Sequence, residues 1–456
     1  MSKEKTIVMT KGNPYKLILK FAMPLMLGNI FQQMYTLVDT MVVGKGVGVD
    51  ALAAVGASDW LNWMSLGILA GLAQGFSIPM AQEFGAGHRA KLRKIIGNAM
   101  SLSAVCAVVL LVVFQLIAKP VLLLLQTPAE ILSTAMLYIR IFFAGIPISI
   151  AYNLLAAALR AMGDGKSPLY AMVVASVTNI VLDILFVMVF PFGVAGAAAA
   201  TLIAQMVATV YCYIALSHIE GLKFGKADFA LEKNQTVRLL RLSVPLAFQN
   251  AIIAVGGMIV QFVVNGFGVL FIAGYTATNK LYGLLEMAAV SFGYAISTYV
   301  GQNVGAGEYK RLRSGHVASL VVSIATSVVI TAAMLVFGKT FIGMFLSGTL
   351  EEIEAAGAVA WRYLLFMSLA LSALYLLYVY RSALQGMGNT FIPMLSGILE
   401  FVMRTGMVLG LTVFIGSDGI FWAEISAWIG AAVLLGISYY VIMAKKKFML
   451  EEAIKS

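Results

Sequence analysis

Long apolar runs separated by short polar stretches recur along the whole chain of 456 residues. An α-helix needs about 20 apolar residues to cross a hydrocarbon core of about 30 Å. Backbone amides have no other partner in lipid, so each run is predicted to be helical. We predict twelve spans, at residues 15–43, 52–81, 95–117, 131–158, 167–190, 195–216, 236–265, 271–300, 315–337, 358–382, 390–414 and 420–443.

The composition agrees with a membrane protein, since 61% of the residues are hydrophobic and only 11% are charged. A soluble domain has about a quarter of its residues charged. The first apolar run is too long for a signal peptide, so we expect it to stay as a helix. Cys106 and Cys212 lie inside apolar runs and suggest buried thiols, and their spacing offers no disulfide framework or zinc site.

The net charge of +10 comes from basic residues in short tracts between the spans, such as Arg89 to Lys94 and Lys445 to Lys447. This arrangement argues against a nucleic-acid partner, which would need one basic face. It indicates the topology, because cytoplasmic loops are enriched in Lys and Arg. With Arg381 counted among the cytoplasmic cations, the bias predicts a multi-pass protein of the plasma membrane with both termini in the cytoplasm.

Three sequence segments are repeated in the same order in the second half. Met80–Gly87 resembles Val300–Gly307, Ala158–Gly163 resembles Ala383–Gly388, and Pro24 with Asn29 resembles Pro245 with Asn250. With six spans per half the repeats run in the same direction across the membrane. We therefore predict an all-α fold of two six-helix lobes, residues 1–216 and 236–456, related by a pseudo-twofold axis along the membrane normal and joined by a cytoplasmic loop at 217–235.

Four polar residues stand out inside the spans of the first half, namely Asp39, Asn179, Asp183 and Thr201. Ionisable groups in a membrane are costly and usually mark a pathway or a coupling site. Asn179 and Asp183 share one helix face, and the topology places all four residues near one level in the outer half of the bundle.

Two carboxylates, an amide and a hydroxyl would form an oxygen-rich site. Such a set suits a sodium ion as the metal, or a shared proton, because neighbouring like charges favour protonation of one carboxyl. The alternative for Asn179 and Thr201 is a purely structural hydrogen bond between helices.

The second half has a different set of polar residues in its spans, Glu286, Glu400 and Arg404. Glu400 and Arg404 are spaced i,i+4, so a structural ion pair between them is the favoured interpretation. Glu286 has no opposite charge on its own helix face. It would either attract a cationic substrate in an internal cleft or pair with Arg404 across helices.

Several motifs together resemble the multidrug and toxic compound extrusion (MATE) family, in particular its branch like DNA-damage-inducible protein F. They are Lys16–Pro24, Val38–Thr40, Gln82 with Gly85–Gly87, Leu159–Asp164, Asn179–Asp183, and Gly301–Asn303 with Gly305–Gly307. The resemblance implies a twelve-helix exporter that exchanges lipophilic, often cationic compounds for protons or sodium ions.

The resemblance also implies roles for single residues. Asp39, Asn179, Asp183 and Thr201 match the cation-coupling site of that branch, and Pro24 matches a proline in span 1 whose bending is linked to this site. Spans 7 and 10 contain no Asp or Glu, which argues against the coupling site that the norfloxacin-resistance branch has in its C-terminal lobe. A proline permits a helix kink, which is also compatible with a static bend at Pro24.

We therefore expect a cation-coupled antiporter that acts as a monomer on small lipophilic or cationic molecules in membrane lipid, without a cofactor. A flippase for a lipid-linked precursor or another amphiphile is the alternative, and a receptor or scaffold is a third interpretation that leaves the buried carboxylates unexplained. No catalytic triad, paired-histidine metal site or phosphate loop supports an enzyme. The expected coupling ion is a proton or a sodium ion.

Overall fold

The computed structural model describes residues 6–219, 221–346 and 349–455. Within these ranges the chain forms fourteen α-helices. They are α1 Pro14–Gly46, α2 Val49–Gly85, α3 Arg89–Leu124, α4 Ala129–Ala144, α5 Ile146–Ala161, α6 Lys166–Asp183, α7 Gly193–Ser217, α8 Lys233–Asn265, α9 Val269–Gly305, α10 Tyr309–Gly343, α11 Leu350–Leu369, α12 Leu371–Gly386, α13 Phe391–Ile415 and α14 Asp418–Lys455. A π-helical stretch, Ile184–Val189, continues α6, and a 3₁₀ turn, Lys226–Phe229, precedes α8.

Each of the twelve predicted spans falls on one helix or on one bent pair of helices, which confirms the all-α, twelve-span fold. Eight of the described helices, and the two bent pairs, are long and apolar enough to cross a membrane. The remaining two, α1 and α9, have 33 and 37 residues. These are the helices whose apolar runs contain Asp39 and Glu286.

The two bent pairs are α4 with α5 and α11 with α12, each bent by 47°. Gly145 separates the first pair, and Pro147 follows in the first turn of α5, where it cannot donate a backbone hydrogen bond. At the second bend the Thr331 hydroxyl of α10 donates to the carbonyl oxygen of Ser368 at 2.7 Å. A side chain that takes a carbonyl from the helix ladder is a known cause of a bend.

The contacts between residues divide the chain into two compact units. Unit 1 comprises Met1–Lys11, Lys20–Ala251 and Gly301–Glu308, and unit 2 comprises Gly12–Leu19, Ile252–Val300 and Tyr309–Ser456. The predicted lobe boundaries at 1–216, 217–235 and 236–456 stay a prediction.

Small residues allow the helices of unit 1 to approach each other. Five alanines of α7 are buried, and they are Ala197, Ala198, Ala200, Ala204 and Ala208. Without a hydrophobic driving force in lipid, helices associate through close van der Waals packing of this kind. Because α7 packs against α6, this contact places Thr201 beside the polar residues of α6.

Aromatic rings fill the core of unit 2. Tyr363 stacks on Tyr275 with ring centroids 4.9 Å apart and on Phe421 at 4.8 Å. Tyr282 stacks on Trp428 at 5.6 Å. Offset stacking suits the charge distribution of aromatic rings, so α9, α11 and α14 are held together by ring contacts.

The loop before α8 is bound to α3. Asp228 accepts a hydrogen bond from the N–H of Gly225 at 2.7 Å and forms an ion pair with Arg93 at 2.8 Å. The Gly225 hydrogen bond and the Arg93 guanidinium hold the pKa of Asp228 below its ordinary value. A lowered pKa means that this stabilisation is present above the ordinary pKa of an aspartate and is lost only as the pH falls below it.

The N-terminal segment is fixed by the repeated motif near the end of α9. The buried Gln302 side chain accepts a hydrogen bond from the N–H of Met9 at 2.8 Å and donates one to the carbonyl oxygen of Ala161 at 2.9 Å. The side-chain amide of Asn303 donates to the carbonyl oxygen of Met9 at 3.2 Å. Met9 itself is fully buried, so residues of three distant stretches form one cluster.

The two copies of the repeated motif contact each other through their glycines. A Cβ atom added at Gly85 would lie 2.0 Å from the carbonyl oxygen of Gln302, and one added at Gly305 would lie 1.8 Å from that of Gln82. Both distances are far below van der Waals contact. The ends of α2 and α9 therefore meet backbone to backbone, and any side chain at either glycine would force them apart.

We expect Gly85→Ala to lower the midpoint of thermal unfolding in detergent, because overpacking against backbone costs about 1–3 kcal/mol. Gly406→Ala is the matched control, since no atom lies within 4 Å of a Cβ at Gly406. Its midpoint should equal or exceed that of the wild type. Equal midpoints for the two variants would show that the glycine contact does not limit stability.

Candidate functional site

Asp183 and Asn179 lie on one face of α6, four residues apart, and both side chains are fully buried. Neither carboxylate oxygen of Asp183 accepts a hydrogen bond, and the same holds for Oδ1 of Asn179. Buried polar atoms are normally paired, so these three oxygens are available to a bound cation or a proton. The π-helical stretch begins directly after Asp183, and such interruptions often mark functional sites.

Thr201 lies opposite Asn179 on α7. The amide nitrogen of Asn179 is 3.5 Å from the Thr201 hydroxyl, which itself donates to the carbonyl oxygen of Ala197 at 3.2 Å. With its proton used in this way, the Thr201 oxygen keeps a lone pair for a further contact. The contact also fits the alternative of a structural link between helices.

Asp39 lies on α1, half-buried, and interacts electrostatically with Asp183. Its Oδ1 atom is buried without a hydrogen-bond partner. Asn179 and Thr201 are in contact, and Asp39 interacts electrostatically with Asp183, which lies four residues from Asn179. Pro24 lies about four turns earlier on the same uninterrupted helix, where it leaves one backbone carbonyl without its helical partner.

Three further residues surround this site and were not predicted from the sequence, namely Asp59, Tyr35 and Tyr138. Asp59 of α2 interacts electrostatically with Asp39. Tyr35 lies one turn before Asp39 and interacts with both Asp39 and Asp183, whereas Tyr138 of α4 interacts with Asp39 and Asp59. Asp59 is an ionisable residue inside a predicted span, so the rule that identified Asp39 also applied to it.

The set of side chains suits a monovalent cation. Carboxylate, amide and hydroxyl oxygens are hard ligands. Across the described ranges, no three His, Cys, Asp or Glu side chains are placed to hold a metal ion. A sodium ion here would need ligands from Asn179 and Thr201 as well as from Asp39 and Asp183, whereas a proton would need only a carboxylate.

The predicted ion pair between Glu400 and Arg404 is wrong. Glu400 pairs with Arg381 of α12, and Arg404 pairs with Glu424 of α14 at 3.0 Å. Residues spaced i,i+4 can meet, but helix packing presents both charges of α13 to opposite charges on neighbouring helices. Arg381, counted as a cytoplasmic cation, is likewise buried inside α12, and Glu424 was overlooked although it lies in the last predicted span.

Glu286 of α9 is half-buried and accepts a hydrogen bond from the Tyr378 hydroxyl at 2.8 Å. Arg404 interacts with it electrostatically but forms its ion pair with Glu424. Two arginines therefore neutralise Glu400 and Glu424, and Glu286 is the remaining acidic group of this cluster. Tyr282 and Trp428 stack nearby, one turn from Glu286 and Glu424 respectively.

These features define a class, an α-helical membrane transporter with polar residues inside its helix bundle. The family model MatE matches residues 24–185 and 245–410, so the chain belongs to the MatE family. The two matched segments begin at Pro24 and Pro245, a pair that the internal repeat also aligns. Members of this family are transporters, not enzymes.

Curated relatives are similar in sequence, and a solved structure shares the fold. The chain is 29% identical over 379 residues to the probable multidrug resistance protein YoeA of Bacillus subtilis, covering 80% of this chain and 82% of that protein. It is 25% identical over 447 residues to the probable multidrug resistance protein NorM of Thermotoga maritima, covering 91% of this chain and 88% of that protein. A crystal structure of MATE in the bent conformation matches with a TM-score of 0.88 at 21% identity, covering 98% of this chain and 99% of that chain.

We expect Arg404→Met to destabilise the protein by about 3–5 kcal/mol, because it leaves Glu424 buried without its partner. The double variant Arg404→Met with Glu424→Gln removes both charges and should recover most of the loss. Thermal unfolding in detergent measures the stability of the single and of the double variant. Lys94→Met is the control, since its ion pair with Glu232 at 3.4 Å is half exposed and such pairs contribute little. A double variant as unstable as Arg404→Met would contradict a structural pair.

Proposed function

We propose that this protein is a cation-coupled multidrug antiporter, a secondary active transporter that exports lipophilic, often cationic compounds by alternating access. The observation that supports it most directly is Asp183, a fully buried carboxylate with neither oxygen hydrogen-bonded, next to Asp39. A group of this kind is costly in a membrane unless a proton or a cation neutralises it for part of the cycle. The relatives named multidrug resistance proteins suggest the substrate class.

The coupling follows from linkage. Antiport requires that occupation by the ion and by the substrate oppose each other, and thermodynamics makes that opposition reciprocal. Ionised Asp39 and Asp183 favour the substrate-loaded state, and a proton or sodium ion from outside favours release. Moving one charge through 100 mV supplies about 2.3 kcal/mol, which is roughly a fiftyfold shift in an equilibrium.

Substrate selection is assigned to Glu286. Because Glu400 and Arg404 are each neutralised by a partner on another helix, they hold the helices and shape the surroundings of Glu286. An acidic group beside stacked Tyr282 and Trp428 rings suits a lipophilic cation, since carboxylates and aromatic faces both attract positive charge. The flippase alternative would need a basic site for anionic head groups, and acidic residues outnumber basic ones in this cluster.

The location that we propose is the plasma membrane, with both termini and the loop at 217–235 in the cytoplasm. The tract Arg89 to Lys94 and the lysines of this loop support this orientation. The ion pair of Asp228 with Arg93 keeps the two basic segments on one side. We also propose that the transporter functions as a monomer.

The orientation is tested by cysteine labelling at positions 226 and 349, both of which are exposed. In a variant whose two native cysteines are replaced, a membrane-impermeant maleimide added to intact cells should label Thr349→Cys and leave Lys226→Cys unlabelled. In permeabilised cells both cysteines should be labelled. Labelling of position 226 from outside would reverse the orientation.

The coupling site is tested in reconstituted vesicles, with export of a fluorescent lipophilic cation driven by a proton gradient or, separately, by a sodium gradient. Asp39→Asn and Asp183→Asn keep the size but remove the charge, so gradient-driven export should fall more than about tenfold, given that one coupled charge is worth about fiftyfold. The exposed Asp50→Asn serves as the control and should keep its rate.

Thr201→Val extends the same test to the identity of the ion. This variant should lower the export rate only slightly under proton coupling and strongly under sodium coupling, because a proton needs no ring of ligands. Normal gradient-driven export by both aspartate variants would overturn the coupling site.

Glu286→Gln should shift the substrate spectrum. Export of cationic compounds should fall several-fold while neutral compounds are exported nearly as before, because only the cations lose an attractive charge. Resistance assays with paired cationic and neutral drugs measure this, with the exposed Glu351→Gln as the control. Equal loss for both kinds of drug would assign Glu286 a structural role.

A further inference from the structure

Three carboxylates in unit 1 form an ordered series from the surface to the core. Asp59 of α2 is exposed, Asp39 of α1 is half-buried, and Asp183 of α6 has no exposed surface. Asp39 interacts electrostatically with both of the others. Asp39 is therefore the one of the three that interacts with both the exposed and the buried carboxylate.

The helix connection places Asp39 and Asp59 at a similar depth. α1 ends at Gly46 and α2 begins at Val49, so the two helices run antiparallel as neighbours. Near the turn they are in contact, since a Cβ at Gly44 would lie 3.4 Å from the Leu52 side chain. Asp39 is about two turns and Asp59 about three turns from the connection, which puts them within about one turn of the same depth.

Each neighbouring pair of acids in this series, Asp59 with Asp39 and Asp39 with Asp183, also interacts with a tyrosine. Tyr138 interacts with Asp39 and Asp59, and Tyr35 interacts with Asp39 and Asp183. The titratable groups around Asp39 are thus the two phenols and the two other carboxyls, contributed by α1, α2, α4 and α6. Phenol and carboxyl groups can both accept and donate hydrogen bonds, so they provide a polar lining between the three acids.

The face of α2 around Asp59 is exposed. Gly56, Asp59 and Trp63 follow each other at spacings of three and four residues, and all three are exposed. A charged residue within a span faces a water-filled cavity or the bundle interior. Asp59 is accordingly the carboxylate at which a cation from the water first meets this series.

We propose that Asp59 is the outer carboxylate of an access path that delivers the coupling cation to Asp39 and Asp183. This inference rests on the proposed coupling site. In the proton case the Asp59 carboxylate accepts a proton from external hydronium, which leaves as water. Asp59 passes the proton to the ionised Asp39 carboxylate directly or through one water and returns to its anionic form. Asp39 then passes the proton to Asp183. In the sodium case the ion moves along the same acids without covalent change.

A delivery role predicts a specific kinetic signature. The charge of Asp59 raises the local cation concentration, and electrostatic attraction of this kind changes association rates by about tenfold or more. Asp59→Asn should therefore raise the KM for the coupling ion about tenfold and leave kcat for export nearly unchanged. Asp39→Asn and Asp183→Asn should instead abolish kcat.

The experiment measures initial export rates in reconstituted vesicles against external proton concentration and, separately, against external sodium. The ion that shows the KM shift is the one that the path delivers. Asp59→Glu should restore the wild-type KM, and the exposed Asp50→Asn of the same helix should not alter it. Raising ionic strength with potassium chloride should shrink the difference between wild type and Asp59→Asn, because salt screens the attraction.

The outcomes separate this inference from the coupling site itself. If Asp39→Asn and Asp183→Asn abolish export while Asp59→Asn equals the wild type at every ion concentration, the coupling site stands and the access path is wrong. A loss of kcat in folded Asp59→Asn that no ion concentration restores also overturns it. If the Asp39 and Asp183 variants export normally, the coupling site fails and the access path fails with it. Thermal unfolding in detergent confirms that each variant is folded.

Discussion

A carboxylate inside a helix bundle that lipid surrounds has to be neutralised by another residue, by a proton or by a bound ion, because little water is present to solvate it. The two units meet this constraint differently. In unit 2 the buried Glu400 and the largely buried Glu424 each have an arginine on another helix. In unit 1 no described lysine or arginine pairs with Asp183. Glu400 and Glu424 are therefore neutralised within the protein, whereas Asp183 has no such partner among the described residues.

Much of the fold and of the first-half site could be predicted from the sequence, because lipid enforces both. Apolar runs in a membrane have to be helices, so the twelve spans follow directly from the pattern. The cost of a buried charge singles out Asp39 and Asp183, and the helix rise places them at one depth. In the structure Asn179 contacts Thr201, and Asp39 interacts electrostatically with Asp183.

What could not be predicted depends on contacts between helices. The spacing of Glu400 and Arg404 favoured a pair, but α12 and α14 supply their actual partners. The bend before α12 has no Pro or Gly at its centre, and a hydroxyl on α10 binds a helix carbonyl there. Asp59 is a different case, because its position inside a span was visible in the sequence and its proximity to Asp39 was not.

Gly85 and Gly305 occupy the same place in two copies of one motif, and each lies against the backbone of the other copy. This is the reciprocal geometry of an isologous contact, in which one surface meets its own duplicate. A side chain gained in one copy would collide with a carbonyl group of the other. Each position is thus restricted to glycine by the backbone of the other copy, which accounts for the presence of glycine at both places in the repeat.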